Sequence, residues 1–142
     1  MRFMMIVKAN KDSEAGVMPS MELIEAMGKF NEEMSKAGVL LAAEGLQASS
    51  KGAKVKFAPG QKPTAVDGPF TETKELIAGF WLIQVKSKEE AVAWAMRSPM
   101  PHGPYEPSEI EIRRVFDPSD FGPNVAENEQ ALRDEIAKRA PK

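Results

Sequence analysis

Residues 77–85 read IAGFWLIQV. No charge interrupts the run, and its β-branched and aromatic side chains suit a pleated surface. A strand apolar on both faces must be covered on both. An antiparallel sheet with one wet face alternates apolar and polar residues, and this strand does not. VLLAAEGL, residues 39–46, makes the same demand, with Glu44 as its one charge.

The rest of the chain supplies cover for one face. Phe3 to Val7 is a short apolar run that reads as a buried strand. Lys11 to Pro19 is polar, contains Gly16 and reads as a loop. A helix follows. Ser20 caps it, Glu22 sits in the first turn where the dipole favours a carboxylate, and Gly38 ends it. Leu23, Met27, Phe30 and Met34 form its apolar stripe.

AKVKF, 53–57, and PTAV, 63–66, pair as a hairpin across the turn PGQK, 59–62. Ser87 and Glu90 form a capping box for a second helix, with Ala91, Trp94 and Ala95 on its inner face. Pro99 and Pro101 forbid its continuation. SPMPHGPYEPS, 98–108, is a proline-rich loop, and EIEIRRVF, 109–116, alternates as a strand with one wet face. DPSDFGP breaks structure, and the tail beyond it is helix-prone, with Val125, Leu132 and Ile136 on one side. That stripe is thin, so the tail is expected to dock on a partner surface or to fray.

The order is β-α-β, a hairpin insertion, then β-α-β. This is the ferredoxin-like split β-α-β plan, an α+β fold with two helices on one face of an antiparallel sheet. The opposite face is left apolar and uncovered. A second copy of the chain is the simplest cover, so a two-fold homodimer packed sheet to sheet is expected.

Composition narrows the function classes. The 142 residues suit one domain, 1–122, with a helical tail, 123–142. The net charge of -2 and the absence of a like-charge block argue against a nucleic-acid surface. With no cysteine, disulfides and thiolate chemistry are excluded. A single histidine, His102, excludes a multi-histidine metal site within one chain. The opening MRFMMIVKAN is apolar for too few residues to be a signal peptide or membrane span, so a cytoplasmic protein is expected, with neither membrane nor nucleic acid as partner. The nine methionines are explained by core filling.

VDGPFTETKELIAGFWLIQVKSKEEAVAWAMRSP, 66–99, resembles the YCII-related family, in particular the branch named for its DGPF motif. DGPF, TKE and the G-F-W strand occur in order at that family's spacing, and EAGVMPS upstream and EIEIRRVFDPSDFG downstream are similar to it as well. The resemblance covers nearly the whole chain to about residue 122. It implies a dimeric α+β barrel of ferredoxin-like subunits and no established activity. Members of the branch are often encoded near, or fused to, extracytoplasmic-function sigma factors; no sigma-like segment stands here. The shorter YCII branch carries a His and an Asp proposed as a catalytic dyad. Those positions fall near Asn31 and at Ser98, and neither does acid–base work at neutral pH.

Two carboxylates are the catalytic candidates. Asp67, before Gly68-Pro69, either accepts bonds from its own turn in a rigid corner that aims Phe70 into the core, or lines the cleft as base or ligand anchor. Glu44 is either a buried carboxyl with a raised pKa, as functional sites favour, or a strand end that sees water beside Gly45. Four residues are ligand-contact candidates. Lys74 either pairs with Glu75 in a solvated turn or neutralises an anionic ligand. Phe70 borders the same corner. Trp81 and Phe80 face opposite ways, one under the helices and one toward the dimer cavity. His102 is either exposed or paired with Tyr105 as a polar lid.

Two functions follow from these candidates. One is a small-molecule enzyme doing cofactor-free proton transfer or isomerisation in the barrel cavity, which needs Glu44 and Asp67 within reach of one ligand. The other is a non-catalytic ligand-binding or regulatory module, linked to sigma-factor-type transcription control.

Overall fold

The structure is a computed structural model and describes residues 1–141. Lys142, the last residue of the expected tail, lies outside the described residues. The elements in order are β1 (Arg2–Lys8), α1 (Lys11–Glu14), α2 (Met21–Lys36), β2 (Leu40–Gly45), β3 (Ala53–Lys56), β4 (Thr64–Asp67), β5 (Ile77–Gln84), α3 (Lys88–Met96), β6 (Ile110–Arg114) and α4 (Pro123–Arg139).

β1, β2, β5 and β6 form one antiparallel sheet in the order β2-β5-β1-β6, and β3 and β4 form a separate two-stranded hairpin. The strand between β1 and β2 is β5, so the β1-α2-β2 unit is split as the ferredoxin-like plan requires.

Alternation decides which side chains meet the helices. Phe3 and Met5 from β1 and Trp81 and Ile83 from β5 point to the helix face and are buried. Phe30 and Met34 of α2 and Ala91 of α3 close over them, with Met27, Trp94 and Ala95 packed at the margin. The Phe30 ring stands edge-on to Trp81, centroids 5.5 Å apart, a favoured aromatic geometry.

The caps follow the sequence. Ser20 Oγ accepts from the Leu23 N–H at 3.1 Å, and Ser87 Oγ from the Glu90 N–H at 3.1 Å. The return arm of the second box lands one residue early, with the Glu90 carboxylate accepting from the Lys86 N–H at 3.0 Å. Gly38, at φ 75, lies one residue past the C-cap Ala37 of α2, in the left-handed conformation that relieves its last carbonyls.

Two expectations change. The polar stretch after β1 is not all loop. Asn10 Oδ1 accepts from the Ser13 N–H at 2.8 Å while Ser13 Oγ accepts from the Asn10 N–H at 2.9 Å. That reciprocal cap holds one helical turn with no apolar stripe to announce it. The stretch expected to break structure before the tail also holds a 3₁₀ turn, Pro118–Phe121, capped reciprocally by Asp117 and Asp120. The tail itself is helical over 17 residues as α4, with Val125, Leu132 and Ile136 all exposed.

Candidate functional site

The uncovered face of the sheet is built by the residues that alternate with the core. The strand registers align them in two rows. Glu44, Phe80, Ile6 and Glu111 make one, and Ala42, Leu82, Met4 and Arg113 make the other. Each row is apolar at its centre. The apolar members are half-buried. Charge stands at the ends of the rows on the edge strands and at the two ends of β1, Arg2 and Lys8. Glu44 stands on β2, and across the sheet Glu111 sits between the Lys8 ammonium at 3.1 Å and the Arg113 guanidinium at 3.4 Å. The hydrogen bond from Lys8, then that from Arg113, hold the Glu111 carboxyl below its ordinary value.

Glu44 is exposed, which corresponds to the strand end that sees water rather than the buried carboxyl. Asp67 is also exposed and ends β4, opposite Ala53. Among the described residues the two carboxylates share no hydrogen bond. They lie in different sheets. Glu44 therefore belongs to the open face and Asp67 to the root of the hairpin.

The DGPF corner is a joint. The Asp67 carboxylate takes no hydrogen bond among the described residues, so no side-chain turn of its own holds it there. The backbone does the fastening, with the Gly68 N–H donating to the Gly52 carbonyl at 3.0 Å and the Phe70 N–H to Ser49 Oγ at 3.0 Å. Ser49 Oγ in turn donates to the Glu14 carboxylate at 2.7 Å, which also accepts from the Ser49 N–H at 3.1 Å. The peptide between Gly68 and Pro69 is cis. Phe70 is half-buried beneath the Lys54 ammonium, 4.3 Å from its ring centroid, and is not part of the core.

Ser49 thus links α1, the 3₁₀ turn Ser49–Lys51 and the DGPF corner. Ser49→Ala removes a charge-assisted bond and leaves the Phe70 N–H without its acceptor. A loss of about 1–3 kcal/mol in urea denaturation is expected. An unchanged midpoint would show that water replaces the hydroxyl without cost.

The remaining candidates separate. Lys74 is exposed in a 3₁₀ turn, Thr73–Glu75. Trp81 is the aromatic under the helices, so it does not reach the open face; Phe80 does. His102 does not pair with Tyr105, which is 96% exposed. Its Nε2 lies 2.6 Å from the Lys8 carbonyl oxygen, which can only accept, so the ring donates from that nitrogen. With Asn10 Nδ2 donating to Glu106 at 3.0 Å, this bond latches the loop 98–108 to the end of β1.

Asn31 Oδ1 accepts from the Trp81 indole N–H at 2.7 Å, and Ser98 Oγ donates to the Pro99 carbonyl at 2.8 Å. Both positions are engaged in structural bonds.

Sequence reasoning missed Glu14, Ser49, Lys8 and Glu111. Glu14 and Ser49 are 35 residues apart and Lys8 and Glu111 lie on strands at opposite ends of the chain, so no local pattern joins them. Among the described residues, no group of three or more His, Asp or Glu side chains is placed to hold a metal ion, and no helix is long and apolar enough to cross a membrane.

Known proteins resemble the chain in two ways. The YCII-related domain is matched over residues 1–117. Among solved structures, the chain is similar to 5-chloro-2-hydroxyhydroquinone dehydrochlorinase (TftG) of Burkholderia phenoliruptrix in complex with 2,5-dihydroxybenzoquinone, at 13% identity and a TM-score of 0.43 over 82% of this chain and 94% of that one. At that distance the likeness carries no argument about chemistry. No curated protein matches the chain. The ferredoxin-like order of strands, the DGPF joint and the match over residues 1–117 place this chain in the YCII-related family.

Proposed function

We propose that two copies of the chain close open face to open face, and that the cavity between the sheets receives a small, mainly apolar, planar molecule. Glu44 then serves as the proton acceptor or donor at the cavity edge. The observation that carries this reading is the pair of rows across the sheet. They are apolar at the centre and ionisable at the rim, and no other element of the described chain covers them. A site with an apolar floor and a few polar groups is the usual form of a small-molecule site. Closing the second face also satisfies the demand made by the 77–85 run.

The competing reading is a binding module without turnover. The bonds held by Asn31 and Ser98 favour it, because the positions that would carry a dyad do structural work instead.

The readings part in one series of measurements. Light scattering is expected to give the mass of two chains, and Phe80→Asp, which places a charge at the centre of a row, the mass of one. A one-chain mass for the unaltered protein would remove the cavity. Phenols, aromatic acids and lactones are then screened by thermal shift, and each stabilising compound is tested for conversion. Conversion lost in Glu44→Gln, with the thermal shift retained, supports catalysis. Stabilisation without conversion supports the binding module.

A further inference from the structure

Closing the open face makes a demand on one residue in particular. Lys8 alone among the described lysines is half-buried. β1 alternates, so Met4, Ile6 and Lys8 share the open face. The ammonium stands where the apolar centre of the sheet ends. Its side chain is 24% exposed. Arg2, the one half-buried arginine among the described residues, lies at the far end of β1 and donates to the Phe116 carbonyl at 3.1 Å.

Lys8 is held at both its ends. The His102 ring donates from Nε2 to the Lys8 carbonyl at 2.6 Å, and the next amide, the Ala9 N–H, donates to the Leu76 carbonyl at 2.9 Å. At the tip, the Glu111 carboxylate meets the ammonium at 3.1 Å. Glu111 also takes the Arg113 guanidinium at 3.4 Å, so one carboxylate serves two cations. Among the described residues Lys8 has no second acceptor. A donor already oriented in this way loses little freedom when it takes a ligand.

An ammonium carries three donors. While the face is open, solvent can take those that Glu111 does not. Once two copies close face to face, water is excluded, and a cation with unspent donors costs free energy. A neutral apolar guest leaves them unspent. A guest with an oxyanion answers both the charge and the donors, and such charge-assisted bonds are strong. Glu44 lies on the same face two strands away, about 12 Å between Cα atoms at ordinary strand spacing and rise. An oxyanion held at Lys8 therefore sets the far end of a one- or two-ring molecule toward Glu44.

We infer that Lys8 anchors the ligand of the open face through a carboxylate, so that the molecule received is a planar aromatic carboxylate. The inference rests on the face-to-face pairing above and names the class of guest that the cavity takes.

Benzoate, 4-hydroxybenzoate and 2-naphthoate are each compared with the corresponding amide, which keeps the shape and removes the charge. Thermal shift is read at fixed ionic strength, and light scattering is run on the same samples. Each acid is expected to raise the midpoint several times more than its amide. Lys8→Met keeps the length of the side chain and removes the ammonium. It is expected to weaken acid binding by about 10–100-fold, the loss of a charged hydrogen bond, and to leave the amides unchanged. Lys8→Arg keeps the charge and is expected to retain the preference. The comparison of acid with amide on the unaltered chain decides the matter if neither variant folds. A two-chain mass with no acid ahead of its amide, or with a preference that survives Lys8→Met, overturns the anchor and leaves the face-to-face pairing standing. A one-chain mass for Lys8→Met overturns it too, since the ammonium would then be spent on a carboxylate of the second copy. A one-chain mass for the unaltered protein overturns both.

Discussion

Trp81→Ala is expected to cost about 4 kcal/mol, within the usual range for deleting a buried aromatic. Trp81 is 6% exposed, stands edge-on to Phe30 and donates its indole N–H to Asn31 at 2.7 Å. Truncation removes the ring, the aromatic pair and the bond together. In a chain of this length the loss is about 10–15 °C in thermal midpoint. Trp81→Phe keeps most of the packing and is expected to lose about 1–2 kcal/mol, the hydrogen bond and a small gap. The measurement is urea denaturation followed by far-ultraviolet circular dichroism, since Trp81 is one of only two tryptophans. An alanine variant with an unchanged midpoint would mean that Trp81 is not part of the packed core. The same variant separates the two aromatics of β5. Phe80→Asp is expected to act on association and Trp81→Ala on folding, because the strand turns them to opposite faces.

The second large effect is at the DGPF joint. A Cβ on Gly68 would lie 1.8 Å from the Ser49 carbonyl oxygen and 2.6 Å from its carbon, and both are backbone atoms. Neither can rotate away as a side chain does. The Ser49 turn is itself tied to Glu14, so it has little freedom to retreat. Gly68→Ala is therefore expected to lose about 3 kcal/mol, at the upper end of ordinary overpacking. The hairpin amides should also exchange faster as the Gly68–Gly52 bond opens. Gly52→Ala is the control. Its Cβ would meet the same Ser49 oxygen at 3.6 Å, an ordinary contact, and a change below about 0.5 kcal/mol is expected. If Gly68→Ala were as mild as Gly52→Ala, close approach would not be the reason for a glycine there.

These two residues mark where reading the sequence stopped short. Strong local signals were legible. The Met27, Phe30 and Met34 stripe, the Ser20 and Ser87 caps and the charge-free 77–85 run each carry their period in a short window. From them the order of elements, and so the split β-α-β plan, followed. The turn of the hairpin was legible to within a residue. Gly60, at φ 73, follows Pro59, and the Gln61 N–H closes on the Ala58 carbonyl. The one-turn helix at Lys11–Glu14 was not legible, because a reciprocal cap between Asn10 and Ser13 needs no apolar residue.

The site divides in the same way. That Trp81 and Phe80 face apart is dictated by the strand period alone. Which of them faces the helices is decided by the packing of α2. That Glu44 interrupts an apolar strand is visible in the sequence. Its place in one row with Phe80, Ile6 and Glu111 depends on the registers of three strand pairs, which bring residues 6, 44, 80 and 111 side by side. Asp67 drew notice through its motif, yet the motif's weight falls on Gly68 and Ser49.

By itself, then, the sequence determined the elements, their order and the presence of a face that needs cover. Those are consequences of local periodicity, caps and turn residues. Only the tertiary structure decided that Gly68 must lack a Cβ, that Ser49 joins three segments and that the centres of both rows on the open face are free of charge. Those depend on contacts between residues far apart in the chain, where distance in space is set by packing and strand register, and the order of residues carries no trace of it.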